Sequence, residues 1–142
     1  MDLSVARSPL DAARTQDAAR FAIGGRAPRL AIRPESGEEV AEVVRTCAAE
    51  HWALLPFGGG ISLTREAPPL RYDVALDMTG MSRIVEYEPD DFTITAQCGA
   101  RVQDLSAALA AHSQELPLEA AEAWGATLGG VLAANADRKS VV

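Results

Sequence analysis

Three consecutive glycines, Gly58-Gly59-Gly60, follow the apolar run from Ala53 to Phe57 and lead on to Ile61 and the hydroxyl of Ser62. These residue types, in this order, suit anion chemistry. Glycine reaches positive φ without steric cost and, lacking a Cβ, lets a ligand come close to the backbone. Successive amides in such a turn form a concave anion site, whose natural guest is a phosphate or diphosphate. The same glycines also make an ordinary flexible surface turn, so the neighbouring segments must decide. Two other phosphate loops are excluded. A P-loop ends in Gly-Lys-Ser/Thr, and here Ile61 and Ser62 follow Gly60 with no lysine. The dinucleotide fingerprint needs a glycine at position 63, which is Leu, and it opens a helix. Thr64-Arg65-Glu66-Ala67-Pro68-Pro69 reads instead as loop.

A second glycine segment, Gly125-Ala126-Thr127-Leu128-Gly129-Gly130, enters an apolar stretch that carries Asn135. Thr127 before that stretch reads either as a helix N-cap or as a ligand contact. Asn135 reads either as a loop cap or as a ligand contact. Trp124 reads as packing rather than as a ring stacked on a ligand. The carboxylates Asp77, Glu86, Glu88, Asp90 and Asp91 read as turn and surface groups rather than a catalytic pair, and no catalytic residue is assigned.

The elements that position these segments follow from periodicity. Arg29 to Arg33 alternates and predicts a short strand that Pro34 stops. Ser36 and Glu39 form a capping box. Val40, Val43, Val44 and Cys47 follow at helical spacing, with His51 as a surface or capping residue and Trp52 packed at the helix end. The strand from Ala53 to Phe57 then delivers the glycine loop, and the strand–helix–strand length permits a parallel crossover. Val74 to Met78 predicts a strand with Val74, Leu76 and Met78 on one face. Ile84 to Glu88 and Phe92 to Cys98 predict a hairpin around Pro89-Asp90-Asp91, with Phe92, Ile94, Ala96 and Cys98 facing one way. Arg101 to His112 predicts a second helix with Val102, Leu105, Ala108 and Leu109 buried, followed by an extended piece from Gln114 to Leu118. Asp11 to Ala22 predicts a weakly amphipathic, peripheral helix.

Composition bounds the function. The net charge of −7 and the lack of a basic run argue against a nucleic-acid surface. No apolar stretch approaches transmembrane length, and Met1-Asp2-Leu3-Ser4 does not begin a signal peptide. Two cysteines, Cys47 and Cys98, make no disulfide framework and read as buried thiols in a reducing cytoplasm.

Taken in order, three segments carry a resemblance. Pro34-Glu35-Ser36 with Glu38-Glu39-Val40 resembles the opening strand and helix of the FAD-binding domain of the vanillyl-alcohol-oxidase (PCMH-type) flavoprotein superfamily. Pro56-Phe57-Gly58-Gly59-Gly60-Ile61-Ser62-Leu63 resembles its pyrophosphate loop. Leu76-Asp77-Met78, Met81 and Ile84-Val85-Glu86 resemble its central strands, and Ala100 to Leu109 its second helix. Thr127-Leu128-Gly129-Gly130 with Ala133-Ala134-Asn135 resembles its second flavin-contacting segment. The resemblance runs from about Arg29 to Ala136 and leans towards the flavin subunit of glycolate oxidase and, more loosely, D-lactate dehydrogenases.

The resemblance implies an α+β fold, with a mixed sheet flanked by helices: a first subdomain plus the start of a second. It divides the chain into a peripheral segment 1–26, a truncated FAD-binding domain 27–136 and a non-native tail 137–142. It implies FAD as cofactor, contacted by Phe57, Gly58, Gly59, Gly60, Ile61, Ser62, Thr127, Leu128, Gly129, Gly130 and Asn135, with Gly129 and Gly130 admitting backbone to the flavin side. Some members attach FAD through a histidine in the loop. Phe57 to Leu63 holds none, so the cofactor is expected to be non-covalent. The implied reaction is oxidation of a 2-hydroxy acid such as glycolate or D-lactate by hydride transfer to FAD. The implied setting is cytoplasmic, at most peripheral to the inner membrane face, with a second flavin subunit and an iron–sulfur subunit as partners. A non-catalytic assembly subunit is the alternative. The chain departs from the pattern where relatives are proline-rich, at Glu119-Ala120-Ala121-Glu122-Ala123, and at its end, Asp137-Arg138-Lys139-Ser140-Val141-Val142. The catalytic residues are expected beyond the present sequence.

Overall fold

The computed structural model describes residues 14–61, 63, 67–118 and 125–134. Its organising feature is a four-stranded mixed sheet of β1 (Thr15–Gln16), β2 (Leu30–Ile32), β3 (Leu54–Phe57) and β4 (Val74–Asp77), in the order β1-β2-β4-β3. The expected α+β mixed sheet is present. β2 and β3 each run parallel to β4, and β1 is antiparallel to β2. The crossover through α1 (Gly37–Ala49) therefore joins two strands that are not neighbours, because β4 inserts between them.

β4 takes the centre because it can be buried on both faces. Val74, Leu76 and Met78 share one face as expected, and the other face is covered too: Val74, Ala75, Leu76 and Asp77 are all buried. Val74 and Leu76 join Ile32, Val43 and Cys47 in a core beneath α1. Ala75 and Ala31 join Phe21, Ile23, Phe57 and Tyr72 in a core on the opposite face. The N-terminal segment supplies that second cover. Instead of a peripheral helix it forms β1 and a short 3-10 turn, Ala18–Phe21, capped by the Asp17 carboxylate, which accepts from the Ala19 amide at 3.0 Å. Two small residues, Ala31 and Ala75, pair in register and leave room for the rings of Phe21 and Tyr72.

The start of α1 shows how local chemistry sets an element. Ser36 Oγ accepts from the Glu39 amide at 3.2 Å, as the capping box requires. Glu39 Oε2 reaches back one residue further than expected, to the Glu35 amide at 2.8 Å, while Oε1 accepts from Arg14 at 3.0 Å and ties β1's start to the helix. Val43 and Cys47 are buried, but Val44 is 45% exposed, so the apolar stripe is narrower than its spacing suggested. The helix ends with His51 at φ 55°, where its amide donates to Ala48 and that of Trp52 donates to Cys47. That is a Schellman ending with a histidine where glycine is usual. Burial pushes the Cys47 thiol up, and Asp73 nearby adds to it, so this sulfur is held protonated.

Asp73 fastens the sheet to the end of α1. Its Oδ2 accepts from the Ala53 amide at 2.8 Å and from Arg71 Nε at 2.9 Å, and Arg71 also donates to the His51 carbonyl. The Ala53 amide, with Arg71 in support, holds this carboxyl below its ordinary value. A depressed folded-state value contributes stability above the unfolded value of 3.8, and the contribution is lost as pH falls through the folded value. Asp73→Asn is therefore expected to lower the urea midpoint at neutral pH, and the gap from the parent is expected to close below about pH 3.8. A gap that persists unchanged in acid would contradict this.

The second unit is a separate antiparallel hairpin of β5 (Ile84–Glu88) and β6 (Thr93–Ala96), joined by a 3-10 turn at Pro89–Asp91. Phe92 departs from the expected inward row. It sits at φ 56° and is 80% exposed, because it caps the turn rather than beginning the strand. Helix α2 (Val102–Ala110) buries Val102, Leu105 and Leu109. The piece after it, Gln114 to Leu118, carries no regular helix or strand. Gln114 accepts from the Tyr87 hydroxyl at 2.9 Å and donates to the Pro89 carbonyl at 2.7 Å, tying the hairpin to the end of α2. Helix α3 (Leu128–Ala133) closes the described fold. Among the described residues no helix is long and apolar enough to cross a membrane.

Candidate functional site

β3 is an edge strand, which is why it tolerates Pro56. Its last residue, Phe57, turns its ring into the second core. The ring meets Phe21 edge-on at 5.2 Å and stacks with Tyr72 at 6.2 Å. The Tyr72 hydroxyl in turn donates to the Phe21 carbonyl at 3.1 Å. Burial pushes the Tyr72 phenol up, so it stays a neutral donor. The base of the glycine loop is thus clamped by the packing of Phe57 in the core.

The three glycines have different physical reasons. A Cβ on Gly58 would stand 2.1 Å from Thr127 Oγ1, and one on Gly59 would stand 1.9 Å from the Gly125 carbonyl oxygen. Both residues are demanded by close approach to the segment 125–127. Gly60 lies at φ 76° beside open space, so its demand is conformational. Among the described residues the amides of Gly58, Gly59 and Gly60 donate to no protein acceptor.

These residues form one wall of a cleft of about 600 Å³. Of the residues expected at the site, Phe57, Gly58, Gly59, Gly60, Ile61 and Thr127 line it. Leu128, Gly129 and Gly130 stand behind Thr127, and their amides are engaged within the protein. Leu128 donates to Ala100 at 2.8 Å, Gly129 to Cys98 at 2.7 Å and Gly130 to Thr127 Oγ1 at 3.3 Å. A Cβ on Gly129 would meet that of Cys98 at 2.9 Å, so this glycine lets α3 approach the 98–102 backbone. Ser62 and Asn135 lie outside the described residues, as do Trp124 and 137–142.

Thr127 serves as an N-cap and also lines the cleft. It is 2% exposed, bridges Arg101 in antiparallel fashion and accepts from the Gly130 amide. Thr127→Ala is expected to cost about 1 kcal/mol of stability, and Thr127→Ser much less, measured by chemical denaturation. Equal losses in both variants would count against the cap.

Spacing alone missed the four residues that bring charged or hydroxyl side chains to the cleft: Arg20, Asp77, Thr79 and Arg101. Asp77 is a buried carboxylate rather than a surface one. Its Oδ1 accepts from the Thr79 amide at 3.0 Å and hydroxyl at 2.6 Å, and Arg33 Nε stands 3.8 Å from Oδ2. An aspartate two residues before a threonine, at the end of an apolar strand, was a readable turn signal. Arg20 and Arg101 carried no such signal, because chain-distant elements bring them to the cleft. Neither guanidinium has an ion-pair or hydrogen-bond partner among the described residues.

Comparison with known proteins places this geometry. The family described as "FAD binding domain" matches residues 28–140. A D-lactate dehydrogenase of Anaerostipes hadrus is 31% identical over 117 residues, covering 82% of this chain and 24% of that protein. A D-2-hydroxyglutarate dehydrogenase of Stutzerimonas stutzeri is 28% identical over 116 residues, covering 82% of this chain and 25% of that protein. Among solved structures, an alkyldihydroxyacetonephosphate synthase superposes with a TM-score of 0.65 at 29% identity, covering 75% of this chain and 22% of that one. The chain thus spans between 18% and 25% of the length of the curated relatives it matches.

Proposed function

Because the chain belongs to the FAD binding domain family, we propose that its cleft holds the diphosphate end of a non-covalently bound FAD in a flavoenzyme that oxidises a 2-hydroxy acid. The observation that carries this reading is the set of three consecutive amides, Gly58 to Gly60, on the cleft wall with no acceptor among the described residues. Gly58 and Gly60 are half-buried while Gly59 is exposed; half-buried amides need partners, and a diphosphate oxygen is a strong acceptor that a nest of amides accommodates. The positive φ of Gly60 and the open space beside it fit that guest. Three amides left free in this way favour cofactor binding over a purely structural assembly subunit.

FAD, when bound, supplies the acceptor for a hydride from the alcohol carbon. The residues of this chain bind and orient. Phe57, clamped by Phe21 and Tyr72, fixes where the loop begins. Gly58 and Gly59 let it lie against 125–127, and the cap at Thr127 holds that segment still. Among the described residues no side chain takes an acid–base role.

The substrate class follows the relatives, whose names specify D-lactate and D-2-hydroxyglutarate. Glycolate, a cytoplasmic setting and onward electron transfer to a second flavin subunit and an iron–sulfur partner are narrower parts of the same proposal. The test is anaerobic addition of D-lactate, D-2-hydroxyglutarate or glycolate to the flavin-loaded protein in its full-length form. Bleaching of the oxidised flavin by one of them is expected. No bleaching by any 2-hydroxy acid would reject the substrate class.

A further inference from the structure

We propose that Arg20 and Arg101 are the countercharge of the diphosphate site, two guanidinium groups that give the cleft its preference for a flavin carrying a diphosphate over one that carries none. The inference rests on the cofactor reading above and adds the residues that set its ligand selectivity. Both arginines line the same cleft as Gly58, Gly59 and Gly60. They come from elements far apart in the chain. Arg20 belongs to the 3-10 turn whose next residue, Phe21, packs on Phe57, and Arg101 is the residue before α2, bridged to Thr127. Each is thus tied through its neighbours to one end of the glycine loop's supports.

Charge argues the same way. The chain carries a net −7, which repels a dianion at long range. The cleft itself contains the carboxylate of Asp77, but that group is engaged by Thr79 and faces Arg33. Amide dipoles alone would have to offset this field. The other arginines for which contacts are seen serve the fold: Arg14 pairs with Glu35 and Glu39, Arg33 with Asp77, Arg71 with Asp73, Arg83 donates to Gln97, and Arg26 donates to the Pro69 and Leu70 carbonyls. Arg20 and Arg101 have no such duty among the described residues. A guanidinium matches phosphate oxygens in shape and charge, and such charge-assisted bonds are the strong ones.

The test is equilibrium titration of the purified chain with FAD and with riboflavin, which has the ring but no phosphate, followed by flavin fluorescence. Arg20→Gln and Arg101→Gln are each expected to weaken FAD binding roughly tenfold, the size of one charge-assisted contact. Riboflavin affinity is expected to stay within about twofold, and the salt dependence of FAD binding is expected to flatten in the double variant. Arg20→Lys and Arg101→Lys, which keep the charge, are expected to recover most of the affinity. Arg45→Gln, on the exposed side of α1, is expected to change nothing. A parent chain that takes up no FAD overturns the cofactor reading, and this inference with it. A parent that binds, with both glutamine variants binding equally well, overturns the inference alone. Loss in only one variant overturns the paired assignment. Equal loss in the lysine and glutamine variants, or equal loss of riboflavin, shows a structural role and overturns it too.

Discussion

Gly59→Val is expected to weaken FAD binding severely and to lower stability together. A Cβ at this position would stand 1.9 Å from a backbone oxygen, Gly125 O, and backbone cannot rotate aside as a side chain can. The loop and the 125–127 segment must part, at a cost of about 1–3 kcal/mol for the forced shift. Parting them also displaces the amides of Gly58 and Gly60, so FAD affinity is expected to fall by roughly a hundredfold or more, about two charge-assisted contacts. Gly60→Ala separates the two effects. It meets no atom within 4 Å but must hold φ 76°, which costs about 1–2 kcal/mol without a clash. Flavin titration and chemical denaturation on the same samples check both. A Gly59→Val chain that binds FAD like the parent would show that the close approach is not what shapes the site.

The second large effect is at the root of the loop. Phe57→Ala is expected to cost about 3–5 kcal/mol, the usual range for a buried phenylalanine. It removes the ring that Phe21 meets edge-on and Tyr72 stacks against, and so leaves a hole beneath the loop. Phe92→Ala, at a ring 80% exposed, is expected to stay within about 0.5 kcal/mol. Denaturation midpoints for the pair test this, and similar losses at both sites would contradict the placement of Phe57 in the core. FAD binding by Phe57→Ala is expected to weaken in step with stability.

The contrast between these phenylalanines shows what was readable from residue order. Features set within a few positions were legible: the Ser36 cap, the turn at Pro89–Asp91, the hairpin and the buried row of α2. Each is decided by neighbours in the chain. Phe92 was misplaced because alternation reads straight through a residue that the turn has claimed. Val44 was misplaced because periodicity gives the direction of a helix face but not its width. The insertion of β4 between β2 and β3 and the burial of Phe21 and Ile23 were not legible at all. Both depend on contacts between residues far apart, for which a single sequence carries no local pattern.

The site divides along the same line. The glycine loop announced itself by composition, and Phe57 to Ile61 and Thr127 do line the cleft. Gly129 and Gly130 share that composition, yet their amides are engaged by Cys98 and Thr127, so the same residue type serves helix packing there. Nothing adjacent to Arg20 or Arg101 marks either as a cleft residue. Their placement is a product of the N-terminal cover and of the bridge between Arg101 and Thr127.

The most direct measurement is a fluorescence titration of FAD with the purified chain, its folding monitored by circular dichroism in the same buffer. Saturable quenching with one FAD per chain, lost in Gly59→Val, is the predicted result. A folded chain with intact Gly58, Gly59 and Gly60 that leaves FAD fluorescence unchanged would contradict the central claim that this cleft is a flavin diphosphate site.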